Sequence, residues 1–493
     1  MAGDVNGRDT LHDVRIDDLT REGEGLGRLD GQVVLVAGAL PGDQARVRIT
    51  RQARRHAVAT LVSLLEPSPD RRRPPCILAD RCGGCTLQAL DDPAQVRWKQ
   101  ELVAQSLRRL GGLNVDPQPL LAAPQPLGYR NRAVIPLERT AEGRLRAGYY
   151  RRGSHQIVNM NHCPVLDPRL DAMIAPLKAD LEASGWPVDR HGGVGQVGAG
   201  LRHLALRIGR RSGERLLTLV ASHGELPGAE AWAERWLERW PELVGVTLNL
   251  QPLPDNRLFG PTNRTLGGRD WLLESFAGVE LRIGPDTFFQ VCSEQAERVV
   301  ALLIDALGTP RGRVVEGYCG IGTFSLPLAR AGWRVWGIES HDGAVALARA
   351  NARRNGLEER CDFVVGEVAE RLARGLSRQH AADNVTAADD VTAADNVTAA
   401  DDVIAAAKEV AAAKEVAAAE EVAVVLLDPP RKGLEAGVVE TLRRQRPPLL
   451  VYLSCDPATL ARDLALLTAE GAYRVQRVQP LDFFPNTSHV EVL

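Results

Sequence analysis

Between residues 12 and 65 apolar and polar positions alternate in short runs, HDVRIDDLTREGEGLGRLDGQVVLVAGALPGDQARVRI, broken at Gly23-Glu24-Gly25, Asp30-Gly31 and Pro41-Gly42-Asp43. Short alternating runs with closely spaced turn residues predict strands that close into a small barrel. Over 98–113, WKQELVAQSLRRLGGL, the apolar positions recur at helical spacing, which predicts an amphipathic helix stopped by Gly111-Gly112. Strand-like runs return from Gly128 to about Arg282: GYRNRAVIPL, RLRAGYYRRGSHQIV, LRHLALRIG, RLLTLVAS and VGVTLNL. The last third has another rhythm. RVVEGYCGIGTFSLPLARAG reads as a strand, a Gly-rich turn and a helix, and WRVWGIES as a second strand ending at Glu339, with HDGAVALARANARRNG a helix after it. CDFVVGEV, VAVVLLDPPRKG and LLVYLSCDP are the third, fourth and fifth strands. Alternation of strand and helix predicts a doubly wound parallel sheet.

A chain of 493 residues exceeds one ordinary domain, and roughly two to four are expected. It has no apolar stretch of membrane-spanning length and no basic start followed by an apolar core, so neither a membrane span nor a signal peptide is expected. A reducing, cytoplasmic location follows as the default, and the eight cysteines then need a reason other than disulfides. The net charge of −3 is an average over unlike parts. Residues 381–421 form an Ala-rich, six-residue repeat with six Asp, four Glu and two Lys, a net of −8 that leaves +5 for the rest. This insertion, with its approach from residue 377, gets no catalytic role. On the barrel, Arg46, Arg48, Arg51, Arg54, Arg55, Arg71, Arg72 and Arg73 face only Glu66 and Asp70 as acids. That excess points to a phosphate-contacting surface. Further on, Tyr129, Arg130, Arg132, Tyr149, Tyr150, Arg151 and Arg152 interleave as on a surface for single-stranded nucleic acid, though an ordinary sheet with a charged face fits equally well.

The segment CILADRCGGC spaces Cys76, Cys82 and Cys85 as metal ligands rather than disulfide partners in a reducing compartment. Cys163, before a proline in a loop, is the best fourth ligand. Four thiolates suit a structural zinc or an iron–sulfur cluster, and spacing leaves both open.

In the last third, the turn Glu316-Gly317-Tyr318-Cys319-Gly320-Ile321-Gly322-Thr323 lacks both the third dinucleotide glycine and the Gly-Lys-Ser/Thr of a phosphate loop. Glu339, ending the second strand, is placed to accept ribose hydroxyls, which suits a nicotinamide cofactor or S-adenosylmethionine. Asp428-Pro429-Pro430 at the tip of the fourth strand favours the second, because a rigid turn there aims polar groups at a flipped-out base. Cys455 in SCDP then acquires a use. Carbon 5 of a pyrimidine is a poor nucleophile until a thiolate adds at carbon 6. The carbon-5 proton must later leave to a base, and Glu491 stands on a late strand. Methylation of an adenine nitrogen needs neither group, so the pair favours carbon methylation.

These motifs resemble the uracil-C5 RNA methyltransferases, in particular the 23S ribosomal RNA members, over nearly the whole chain outside the repeat. The resemblance implies a multidomain α/β chain. It has a five-stranded OB-like TRAM barrel (1–68) and a cysteine segment (69–97). A helix and a strand-rich α+β RNA-recognition domain that supplies Cys163 follow (98–285), then a Rossmann-like methyltransferase domain (286–493). It implies a [4Fe–4S] cluster on Cys76, Cys82, Cys85 and Cys163, with structural zinc as the alternative. S-adenosylmethionine is implied at Gln290 of FFQV, Tyr318, Glu339 and Asp428. Thr323 and Glu367 fall at further cofactor positions where relatives carry other residues, as does Cys292 after FFQV. Cys455 is implied as nucleophile and Glu491 as proton acceptor. The expected partner is 23S ribosomal RNA and the expected state a monomer. Transfer RNA is the alternative substrate, and an inactive RNA-binding or assembly factor a further reading. The sequence ends two residues after Glu491, so a shortened last strand is expected to hold the base loosely.

Overall fold

A computed structural model describes residues 10–140, 142–189, 200–253, 257–381 and 421–493. The repeat from 382 to 420 lies outside the described residues. The alternating N-terminal runs form β1 (Leu11–Leu19), β2 (Gly25–Leu29), β3 (Gln32–Ala37), β4 (Gln44–Gln52) and β5 (His56–Glu66), closed into a barrel in the order β1-β2-β3-β5-β4. Alternate side chains, among them Val14, Ile16, Val34, Val36, Ala45 and Val47, fill its interior, as the two-residue period of a strand requires. Of the eight arginines expected to meet phosphate, Arg46 pairs with Asp13, Arg71 with buried Asp43 and Arg72 with Asp92. Arg48, Arg51, Arg54, Arg55 and Arg73 are exposed.

The middle of the chain is a six-stranded mixed sheet, β6 (Arg132–Arg139), β7 (Leu145–Ala147), β8 (Leu201–Ile208), β9 (Arg215–Ala221), β10 (Leu243–Leu250) and β11 (Thr262–Gly268), ordered β11-β10-β9-β8-β6-β7. Helices Pro168–Ala183 and Ala229–Arg239 share its core. Of the three tyrosines interleaved with arginine, two turn inward, while Tyr150 stays partly exposed with His155 edge-on to it. Tyr129 is buried with its hydroxyl donating to the Pro485 carbonyl at 3.2 Å, and Tyr149 packs against the central core. Phenol rings that satisfy the interior are not available to stack on bases.

A hairpin, β12 (Leu272–Phe276) and β13 (Val279–Ile283), joins the core of the last region. That region is a parallel sheet of β14 (Arg313–Gly317), β15 (Arg334–Glu339), β16 (Cys361–Val365), β17 (Val422–Leu427) and β18 (Leu449–Tyr452), ordered β16-β15-β14-β17-β18. The order reverses between β14 and β17, and crevices for ligands open at such a switch point beyond the strands' carboxyl ends. A short antiparallel pair, β19 (Pro480–Leu481) and β20 (Glu491–Val492), closes the chain.

Two expectations change here. The helix read over 98–113 runs from Asp92 to Arg109: the Asp91 side chain accepts from Ala94 N and a proline sits in the first turn, an N-terminal signal that precedes the apolar periodicity. It packs not on the central sheet but on the last one, where Val103 and Leu107 share a core with Val315, Ile338 and Val425. Nor is the last strand loose. Gln479 and Leu493 exchange backbone bonds of 2.8 and 2.9 Å, and Val490 and Val492 are fully buried. Among the described residues no helix is long and apolar enough to cross a membrane.

Lys99 locks the helix to the closing segment. Its ammonium is fully buried and donates to Asp482 at 2.7 Å and to the Phe484 carbonyl at 2.9 Å. Losing one partner of a buried pair leaves an uncompensated charge, so Asp482→Ala should cost about 3–5 kcal/mol. Replacing both by apolar residues, Lys99→Met with Asp482→Leu, should recover most of that loss in denaturant titrations.

Candidate active site

Beyond the end of β18, backbone bonds fix each residue that follows. Leu453 N donates to the Leu427 carbonyl at 2.9 Å. Ser454 and Val492 exchange two bonds of 2.9 Å in an antiparallel bridge. Antiparallel pairing then sets Cys455 across from Glu491. Asp456 follows as the cap of helix Pro457–Thr468, its Oδ1 accepting from Ala458 N and Thr459 N at 3.0 and 2.9 Å. The thiol therefore stands at a turn between a strand and a capped helix. Asp428 lies at the tip of β17, and Gln290 Nε2 donates to its Oδ2 at 3.1 Å.

Burial dominates the electrostatics. It pushes Cys455 up to about 12, with the Glu491 charge adding to the rise and Arg431 opposing it. Glu491 is raised to about 8, first by burial and then by Asp428, again against Arg431. Asp428 is raised to about 7 by burial, partly offset by the Gln290 bond. His489, whose Nε2 is 3.4 Å from Arg431 Nη2, is lowered to about 4 by burial and then by Arg431, so its ring is neutral. A cleft of about 720 Å³ opens onto Cys455, between the DPPRK turn, the end of helix Asp92–Arg109 and the barrel. A second cavity, about 570 Å³ behind β18, is lined by no acid or thiol.

The cofactor positions gather at the carboxyl ends of the adjoining strands. Glu339 at the end of β15 accepts from Gly320 N at 3.1 Å and His341 N at 2.9 Å. Gly320 has φ +55°, and a Cβ there would meet nothing within 4 Å, so the turn leaves open space. Tyr318, at φ +64°, holds a buried hydroxyl with no partner among the described residues. A buried polar atom in that condition invites a ligand's hydrogen bond. Thr323 is buried in the same turn, while Glu367, past β16, is exposed.

Sequence reasoning assigned no role to Arg431, the one cation whose charge lowers both Cys455 and Glu491. It directly follows Asp-Pro-Pro, which was the available signal. Glu316 was also passed over; it is buried, bound by the Ser325 hydroxyl and raised by burial to about 8.

Cys76, Cys82, Cys85 and Cys163 are half-buried neighbours. Burial is the main cause of the raised Cys163 thiol, at about 12, and charge on Cys85, Cys82 and Cys76 adds to it. Cys76 Sγ accepts from Leu78 N and Cys82 Sγ from Gly84 N, both at 3.4 Å. Among the described residues, however, no group of three or more His, Cys, Asp or Glu is placed to hold a metal ion.

Comparison with known proteins fits this arrangement. Residues 278–493 match the tRNA (uracil-5-)-methyltransferase family model, and 11–62 match the TRAM domain. An uncharacterized RNA methyltransferase of Parasynechococcus marenigrum is 45% identical, covering 97% of this chain and 93% of its own. Another, from Halalkalibacterium halodurans, is 31% identical over 99% and 96%. The chain belongs to the RNA uracil-5-methyltransferase family. Members use S-adenosylmethionine and act on RNA. Among solved structures, the Pyrococcus abyssi tRNA (uracil-54, C5)-methyltransferase in complex with S-adenosyl-L-homocysteine is 25% identical, covers 98% of this chain and 99% of its own, and superimposes with a TM-score of 0.68.

The raised carboxyls make a pH prediction. Glu491, with an ordinary value of 4.5 and a folded value of about 8, binds more protons folded than unfolded between those limits. Stability therefore falls as pH rises from about 4.5 to 8, since ionising a buried carboxyl opposes folding. Without methyl donor, Glu491→Gln should be more stable than the wild type at pH above about 8 and converge with it toward pH 4.5. Denaturant midpoints across that range check it.

Proposed function

We propose that this methyltransferase forms 5-methyluridine at one position of 23S ribosomal RNA through a transient bond between Cys455 and the base. The observation that carries the reading is the Ser454–Val492 bridge, which sets Cys455, a lining residue of the open cleft, across from the buried Glu491. The Cys455 thiol gives its proton to solvent water and the thiolate adds to carbon 6, moving the ring electrons toward the carbonyl oxygen as an enolate. S-adenosylmethionine, when bound, would supply an electrophilic methyl group to carbon 5 and leave as S-adenosylhomocysteine. The ionised Glu491 carboxylate accepts the carbon-5 proton; the released pair reforms the ring double bond and expels the thiolate. Asp428 stands beside the base, and Gln290, Glu339, Tyr318 and Thr323 line the donor's site, with Glu367 at its edge. Tyr318's orphaned hydroxyl and the open Gly320 turn support that fit.

Transfer RNA is the second reading, favoured by the named substrate of the archaeal structure that spans nearly the whole chain. Mapping 5-methyluridine in ribosomal and transfer RNA of a deletion strain decides between the two. Loss from 23S ribosomal RNA alone is the expected outcome.

Cys455→Ala should abolish turnover, and Glu491→Gln should accumulate a protein–RNA adduct that survives denaturing electrophoresis. Undiminished methylation by Cys455→Ala would refute the mechanism. Because both reacting groups must ionise from raised values, activity should climb with pH through about 8, the Glu491 value.

The four thiols are proposed to hold a [4Fe–4S] cluster, with zinc as the alternative. The charge influence of Cys76, Cys82 and Cys85 on Cys163 and the N–H···S bonds at Cys76 and Cys82 support the donor set, although the described arrangement does not bring three of them together as ligands. A bound metal would reverse the upward shifts, since ligating sulfur is deprotonated. The group would tie loops together, as methyl transfer needs no electron. Visible absorbance and metal content of wild type against Cys85→Ser test it, and equal content in both would exclude these ligands.

A further inference from the structure

The cleft over Cys455 has a floor of chemistry and a rim of charge. Its rim carries Arg21 from the turn between β1 and β2, Arg109 from the last turn of helix Asp92–Arg109, and Arg431 and Lys432 from the turn after β17. Only Glu22 and Asp456 oppose them among the acids lining it. Both acids are engaged: Glu22 bonds Arg21 at 2.9 Å, and Asp456 spends Oδ1 on its helix cap. Arg21 Nη2 lies 3.8 Å from the other Asp456 oxygen, directly beside the residue after the nucleophile. An N-terminal barrel arginine thus reaches the thiol's own turn.

That reach is built rather than incidental. Thr20 N donates to the Glu24 carbonyl at 2.7 Å and Gly23 N to Thr20 at 2.8 Å, so the turn is tight. Gly23 has φ +80°, and a Cβ there would stand 2.7 Å from Thr86 Oγ1. Only glycine allows the turn to press on the cysteine segment this closely.

We propose that Arg21 and Arg109 are phosphate-binding positioning residues: they grip the RNA backbone flanking the target uridine while its base turns in toward Cys455. The proposal rests on the methylation reading, because an extruded base at the thiol leaves its own phosphates at the rim. Backbone contacts of this kind set register without reading sequence. The barrel then acts at the catalytic cleft itself as well as through its outer arginines.

The test is RNA binding as a function of salt, without methyl donor, for the full chain and for Arg21→Ala, Arg109→Ala and the double variant. An unmodified 23S ribosomal RNA transcript and bulk transfer RNA are the probes. Each single change should weaken binding about tenfold and lower the salt slope by about one. Arg21→Lys should restore most of the slope, and S-adenosyl-L-homocysteine binding, measured on the same samples, reports that the fold is intact. In steady state, KM for RNA should rise by a larger factor than kcat falls. A double variant with the wild-type slope overturns the clamp. Wild type that binds RNA yet makes no 5-methyluridine would overturn the proposed activity instead, and a lowered slope in the variants would still support the clamp.

Discussion

Two backbone hydrogen bonds between Ser454 and Val492, each 2.9 Å, fix the distance between thiol and carboxylate. Both residues belong to extended pieces, where a slip of one position turns a side chain to the opposite face. Such a slip would carry Glu491 away from Cys455 altogether. The register is protected on both sides. Leu493 pairs with Gln479, Leu481 with Glu491, and the apolar neighbours Val490 and Val492 are sealed in the core. A strand of two residues suffices because its position is set by burial and not by its length.

Burial that fixes the register also sets the charge state. Cys455 at the cleft and the buried Asp428 and Glu491 behind it are all pushed toward their protonated forms. A polyanion would be repelled by two free carboxylates and a thiolate. Arg21, Arg109, Arg431 and Lys432 stand at the cleft's rim, and the protonated groups lie at and beneath its floor. Arg431 lies between these zones: it opposes the burial shift on both reacting groups and sits against a neutral His489. A single arginine at the DPPRK turn therefore couples the charged rim to the uncharged floor.

The parallel sheet was legible because its strands are continuous apolar runs. Val314, Val315, Val424, Val425, Leu426 and Leu427 are buried, and short β-branched apolar runs bounded by turn residues are what strands covered on both faces require. Cys455, Asp428 and Glu339 were legible as residues at the ends of those runs. What escaped depends on partners remote in sequence. Tyr129 looked like a stacking residue until its hydroxyl met Pro485, and the buried pairing of Lys99 with Asp482 spans partners far apart in the chain. Neither local periodicity nor composition carries such information. The helix start was missed for a local reason: capping at Asp91 begins a turn before the apolar stripe does.

The remote contacts also explain what a cysteine segment contributes to an enzyme whose reaction moves no electron. Arg72 donates to Asn486 Oδ1 at 2.7 Å, Leu87 N donates to the Asn486 carbonyl at 3.0 Å, and Gln95 accepts from Asn486 N at 2.8 Å. Asn486 is held at φ +69°, a conformation few side chains tolerate. Five residues later the chain reaches Glu491. The segment that carries Cys76, Cys82 and Cys85, together with the helix after it, thus splints the loop leading into Glu491. The segment's contacts with Asn486 thereby bear on the position of one carboxylate.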